Sequence, residues 1–185
     1  MPLRNSIDRY GAVAQALHWL IVALVIVQVT TALIAHDMPF GPHKADMLGR
    51  HKSFGMTILM LMVLRLLWRL ANPAPRLPAT LKSYERGLAH VSHYLLYLLL
   101  FALPLSGWVM SVAKNYPVSW FHLFTWPNPA APDKELAESM EEVHETLAWI
   151  LGGLVTIHIL AALRHQFVLK DDVLKRMLPA KEPRS

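Results

Sequence analysis

VHETLAWILGGLVTIHILAALRHQFVL, Val143 to Leu169, decides the fold of this chain. At 1.5 Å per residue an apolar stretch of this length crosses a bilayer as a single helix. It carries His144, His158 and His165, spaced by 14 and then 7 residues. Whole heptads bring a helix back to nearly the same face, so the three imidazoles share one side. His144 and His158 lie roughly 21 Å apart along the axis. An imidazole inside a membrane helix is costly and implies a partner. Two imidazoles at that spacing imply two sites, one above the other.

The rest of the chain is built to face this segment. Of its 185 residues 54% are hydrophobic and only 17% charged, against about 25% charged in a soluble domain. The deficit is concentrated in four runs, at about 14–35, 53–70, 88–113 and 143–169. Between the first two, His36 to Lys52 reads as a short polar loop broken by Pro39, Gly41 and Pro42. The third run contains Pro104 and Gly107, a predicted kink. YPVSWFHLFTW, after it, is aromatic and amphipathic and suits the membrane interface. DKELAESMEE is acidic, helix-prone and feeds the fourth run. The first run is too long for a signal-peptide core and is expected to be retained. The expected architecture is all-α: one domain, residues 1–185, forming an integral membrane four-helix bundle.

Four spans put both termini on one side. That side carries twelve of the basic residues, among them Arg4, Arg69, Lys82, Arg164, Lys181 and Arg184; the other carries five, Lys44, Arg50, Lys52, Lys114 and Lys134. Cytoplasmic loops collect lysine and arginine, so both termini are expected in the cytoplasm. The formal charge of +5 is thus a topology signal and gives no reason to expect nucleic acid.

With no cysteine, the chain can form neither disulfides nor thiolate metal sites, iron–sulfur clusters or covalent c-type haem attachments. Ten histidines remain. By depth, His51 and His144 match near the outer face, and His18 and His158 in the inner half. Each pair comes from two different helices. Bis-imidazole haem ligation inside a bundle needs that arrangement, because a planar macrocycle takes one axial ligand from each side. The roughly 21 Å spacing lets two b haems stack across the membrane. A lone membrane histidine is more often a hydrogen-bonded packing residue; two depth-matched pairs are harder to explain that way. His165 is an alternative to His158. His90 and His93, at the inner start of the third span, read as an interfacial polar pair or as propionate or quinone contacts. Arg65 is a candidate for the inner propionates. Lys44, Arg50 and Lys52, around His51, are candidates for capturing a small anion, beside the simpler role of pairing with propionates or nearby carboxylates.

Several segments together resemble the bacterial cytochrome b561 family: ALHW (16–19), GRHKS (49–53), LAHVSHYLLY (88–97), VHETLAWI (143–150) and HILAALRH (158–165). The resemblance runs from about Arg9 to Leu178. It implies a multi-pass bacterial inner-membrane protein with two haem b groups, the iron of one held by His18 and His158 and of the other by His51 and His144. It also implies an oxidoreductase passing electrons across the membrane, from superoxide or another periplasmic donor to ubiquinone. The expected partners are the lipid bilayer, quinone and a small anionic donor or a periplasmic or membrane redox partner. Two alternatives stay open on the sequence. The chain could be the electron-accepting cytochrome b subunit of a larger dehydrogenase or hydrogenase, or a non-haem scaffold binding metal through the same histidines.

Overall fold

Four helices dominate the computed structural model, which describes residues 2–77 and 81–179. Lys181 and Arg184, counted above toward orientation, lie outside the described residues. The helices are α1 (Ala12–Asp37), α2 (Pro42–Ala71), α3 (Ser83–Ala113) and α4 (Lys134–Arg164), the last continued by a π-helical turn, His165–Leu169. Each is long and apolar enough to cross a membrane. Their large apolar side chains point outward: Ile26, Leu33, Leu64, Leu98, Trp149 and Ile157 are all exposed. In water these faces would aggregate; in a bilayer they meet hydrocarbon. The protein is an all-α membrane bundle.

Packing divides the bundle into two hairpins. α1 lies along α2 and α3 along α4, and α2 against α3 joins them. α4 has no extensive backbone contact with α1 or α2. The apolar core sits where α1, α2 and α3 meet: Ile21, Ile58 and Met62, with Tyr97, Leu100 and Phe101 packed around them. On α2, Ile58 and Met62 fall between His51 and Arg65 in sequence. The core therefore separates two polar levels, one toward the end that carries the termini and one toward the opposite end, called here the hairpin end.

Two elements differ from the sequence expectation. α2 begins at Pro42, so most of the expected polar loop is helix. Proline fits the first helical turn, where its missing N–H is not needed. Asp46 and Arg50, four residues apart, pair on the exposed face (3.0 Å). His51 consequently lies in the third turn of α2 and not at its start. The second difference is the aromatic segment, which forms a two-stranded antiparallel hairpin, β1 (Ser119–Trp120) and β2 (Phe124–Thr125). It is pinned to α2: the buried Ser53 hydroxyl shares its proton between the Gly49 carbonyl (3.0 Å) and the Ser119 carbonyl (3.1 Å) and accepts from the Phe121 amide (3.0 Å). Trp120 Nε1 donates to the Thr57 hydroxyl (3.0 Å), and Trp126 stacks edge-on against Trp108 of α3. The tip, Phe121 and His122, takes left-handed backbone angles. The acidic segment after it is the start of α4, capped by the Asp133 carboxylate accepting from the Leu136 amide (2.9 Å).

At the opposite end the termini are stitched together. Arg9 donates to the Leu178 carbonyl, Gln15 Nε2 to the Arg176 carbonyl (3.3 Å) and Trp19 Nε1 to the Met177 carbonyl (2.8 Å). Asn5 Nδ2 donates to the Asn72 carbonyl (3.1 Å), tying the same face to the end of α2.

Candidate functional site

At the hairpin end, His51 of α2 faces α1. Its Nδ1 lies 3.3 Å from the Gln28 backbone carbonyl. A carbonyl oxygen only accepts, so Nδ1 carries the proton and Nε2 the lone pair. That lone pair accepts from the Gln28 side-chain amide (3.1 Å), while the other end of the amide, Oε1, is buried without a partner. A side chain at Gly55 would come within 3.2 Å of the same amide nitrogen. This glycine therefore makes room for Gln28.

His144 of α4 is set the same way by α3. Its Nδ1 is 3.0 Å from the Leu103 carbonyl and 3.1 Å from Ser106 Oγ. Nδ1 again holds the proton, and Nε2 is left with the lone pair. Gly107 lets the ring in, since a Cβ there would stand 2.9 Å from His144 Cε1. The His51 and His144 rings face each other with centroids 6.3 Å apart and planes at 77°. The rings reach across a gap that the α2 and α4 backbones leave open. Two neutral imidazoles from different hairpins, each with an unprotonated Nε2, are a donor set for a metal centre with two opposite free positions.

The second level, toward the termini, gathers three histidines. His93 of α3 and His158 of α4 lie edge to face with centroids 5.4 Å apart. His93 Nδ1 donates within its own helix to the Ala89 carbonyl (2.6 Å). His18 of α1 belongs to the same end: its ring lies edge-on to Trp19, whose Nε1 donates to the Met177 carbonyl, and Met177 lines the same cavity as Arg65 and His93. Arg65 Nε donates to the Tyr97 hydroxyl (3.1 Å), and its Nη1 is buried with no partner. Arg65, Arg69, His93, Tyr97, Asn5 and Met177 line a small cavity beneath the stitched termini.

The remaining candidates separate. His90 is exposed, apart from this cluster. His165 Nδ1 is bonded to Asp171 Oδ2 (2.6 Å), in the turn that ends α4. The three cations around His51 point three ways. Arg50 pairs with Asp46, Lys44 donates to the Met38 carbonyl (3.1 Å) and lies over the Phe40 ring, and Lys52 lies over the Tyr116 ring. Among the described residues no three His, Asp or Glu side chains form a cage for a free metal ion. Sequence reasoning missed the residues that set the imidazoles: Gln28, Leu103, Ser106 and Gly107. The one available signal was a serine and a glycine two and three residues after Pro104 in an apolar run. That pattern reads equally well as a kink.

Residues 9–180 match the protein family described as prokaryotic cytochrome b561. The chain is 36% identical over 181 residues to cytochrome b561 homolog 2 of Escherichia coli (strain K12), covering 96% of this chain and 95% of that protein. It is 33% identical to a protein of Yersinia pestis named probable superoxide oxidase CybB, covering 94% and 97% respectively. Cytochrome b561 homolog 1 of Escherichia coli (strain K12) is 26% identical over 95% of this chain and 99% of its own length.

Proposed function

The chain belongs to the prokaryotic cytochrome b561 family, multi-pass electron-transfer proteins of the bacterial inner membrane that carry haem b, and from that premise we propose that it holds two b haems and passes electrons from superoxide to membrane quinone. His51 and His144 are the proposed axial ligands at the hairpin end, His18 and His158 those at the terminal end.

The observation that carries this reading is the His51–His144 pair. Two imidazoles on opposite sides of one metal, at metal–nitrogen distances of about 2 Å, have centroids about 6 Å apart. The 6.3 Å found here fits; His144 has Nε2 as its free donor, and His51 Nε2 is held only by the Gln28 amide. The Gln28 amide has to leave the His51 lone pair for a metal to take it; that is the one bond its side chain makes, Oε1 being buried without a partner. At the other level, His93 is the rival of His18 as partner to His158. Its ring is closer to His158 than the spacing needs, and α3 and α4 pack directly, leaving no slot for a macrocycle. α1 and α4 do not, which favours His18. The orphaned Arg65 Nη1 is a cation presented to an anionic group, as a propionate would be.

Haem b, when bound, supplies the one-electron carrier. The chain does the rest. The apolar layer of Ile21, Ile58 and Met62 keeps water from the space between the two levels. The hairpin end, with Lys52 nearest His51, faces the periplasm and attracts the anionic donor. Lys44 and Arg50 add to the same potential at longer range. At the terminal end, facing the cytoplasm, Arg65 and His93 line the cavity that receives a propionate or the quinone head group. Each superoxide gives up one electron and leaves as dioxygen; a quinone takes two electrons and two protons to become quinol. The named relative from Yersinia pestis supports superoxide as donor. The test is the purified protein in vesicles with ubiquinone. A pyridine haemochrome assay should find two haems per chain, and superoxide should reduce both and then the quinone. One haem per chain, or haems that superoxide leaves oxidised, overturns the reading.

A further inference from the structure

Ser106 lies in a helix wall, is 8% exposed, and would ordinarily be read as a hydroxyl folded back onto its own helix. It does that, donating to the Leu103 carbonyl (2.8 Å). Its proton is thereby committed, and the oxygen lone pair turns outward. At 3.1 Å from that lone pair stands His144 Nδ1, which is also 3.0 Å from the same Leu103 carbonyl. One arrangement of protons satisfies all three atoms: Ser106 donates to Leu103, and Nδ1–H is shared between the carbonyl and Oγ. The next residue, Gly107, is the one whose missing side chain admits the ring. A single turn of α3 thus presents a carbonyl, a hydroxyl and a gap to one imidazole from another helix. Backbone folding alone does not require that convergence.

We propose that Ser106 is a positioning residue for His144, fixing which ring nitrogen is protonated and how the ring is turned, and so holding down the reduction potential of the haem at the hairpin end. The proposal rests on His144 being an axial ligand. A hydrogen bond accepted from the far nitrogen makes an imidazole a stronger donor to the metal. A stronger donor favours the oxidised iron and lowers the potential. His51 is treated alike by the Gln28 carbonyl. The terminal-end level carries the buried Arg65 cation instead, which disfavours the extra positive charge of oxidised iron. Lys52 works against the difference, but its ammonium is drawn to the Tyr116 ring. The two levels are graded, with the hairpin end the stronger reductant and electron flow downhill toward the termini.

Threonine and valine have the same shape and differ by the hydroxyl, so Ser106→Thr and Ser106→Val isolate it. Both are to be made in the full chain, purified with haem, and followed by redox titration and by low-temperature electron paramagnetic resonance. Ser106→Thr should keep the wild-type potentials and signals. Ser106→Val should move only the hairpin-end component, to higher potential, with a changed largest g-value. If the two variants titrate identically, the hydroxyl has no such role and the proposal falls. His144→Ala, run alongside, separates the premises. If it retains both haems, the ligand assignment fails. If it loses one while the Ser106 pair stays identical, only the inference about Ser106 fails.

Discussion

Replacing Gly107 with alanine should damage one site and leave the helix sound. The added Cβ would stand 2.9 Å from His144 Cε1 and 3.1 Å from its Nδ1. Carbon atoms sit comfortably at about 3.5–4.0 Å, so the ring must withdraw by about half an ångström or more. That withdrawal stretches the 3.0 Å bond from Nδ1 to the Leu103 carbonyl toward the limit of a hydrogen bond. Alanine improves helix propensity by about 1 kcal/mol. Against this stand an overpacking cost of about 1–3 kcal/mol and a weakened bond of about 1 kcal/mol. The net cost of about 1–3 kcal/mol falls on His144, which corresponds to a loss of about 5- to 150-fold in affinity for the hairpin-end haem. Haem content per chain and the rate of haem transfer to an apoprotein acceptor measure it. Gly87→Ala is the internal control, because the residue is exposed on α3 and a Cβ there meets nothing within 4 Å. A Gly107→Ala protein that holds both haems as tightly as the parent, or a control that loses haem equally, would mean that the missing side chain at Gly107 is not what admits His144.

Other outcomes follow from the same geometry. His18→Ala and His158→Ala should each remove the terminal-end haem alone, whereas His93→Ala should retain both; a spectrum showing one haem left after His93→Ala reverses the choice of partner for His158. Superoxide reduction of the haems should slow with rising salt and in a Lys44→Gln, Lys52→Gln double variant, the larger share coming from Lys52, with absorption spectra unchanged. Stopped-flow rates indifferent to both would point to a protein donor. Ser53→Ala should strip the partners of the Ser119 carbonyl and Phe121 amide and destabilise the β1–β2 hairpin by about 1–3 kcal/mol, seen as faster amide exchange at 119–125 with the helices protected as before.

The four spans were legible because membrane helices announce themselves by composition alone; every backbone group bonds within its own segment, so no distant partner is needed. The beginning of α2 was not. Its first turns, PHKADMLGRHK, are polar, and hydropathy cannot tell a polar helix end from a loop. The two histidine levels were readable from axial rise. The residues that orient the rings were not, since each acts across helices: Gln28 is 23 positions from His51, and Leu103 and Ser106 are 41 and 38 from His144. Small residues near the histidines, Gly55, Gly152 and Gly153, are where the sequence leaves room for a macrocycle. Gly55 accommodates the Gln28 amide, Gly152 and Gly153 face open space, and the glycine touching a ring is Gly107. The hairpin hid for a different reason. Its hydrogen bonds to Ser53 and Thr57 are tertiary, and its strands are too short to show alternation.

The stitched termini set a clock on synthesis. Trp19 is fastened by Met177, Gln15 by Arg176 and Arg9 by Leu178, so the first helix is sealed by residues that leave the ribosome long after it. At about 5–20 residues per second, Met177 emerges about 10–30 s after Trp19. For that interval His18, next to Trp19, is in the membrane but not yet covered. Until that segment arrives the level stays open to a bulky flat molecule, and a chain cut before Arg176 would lack the strap that crosses it.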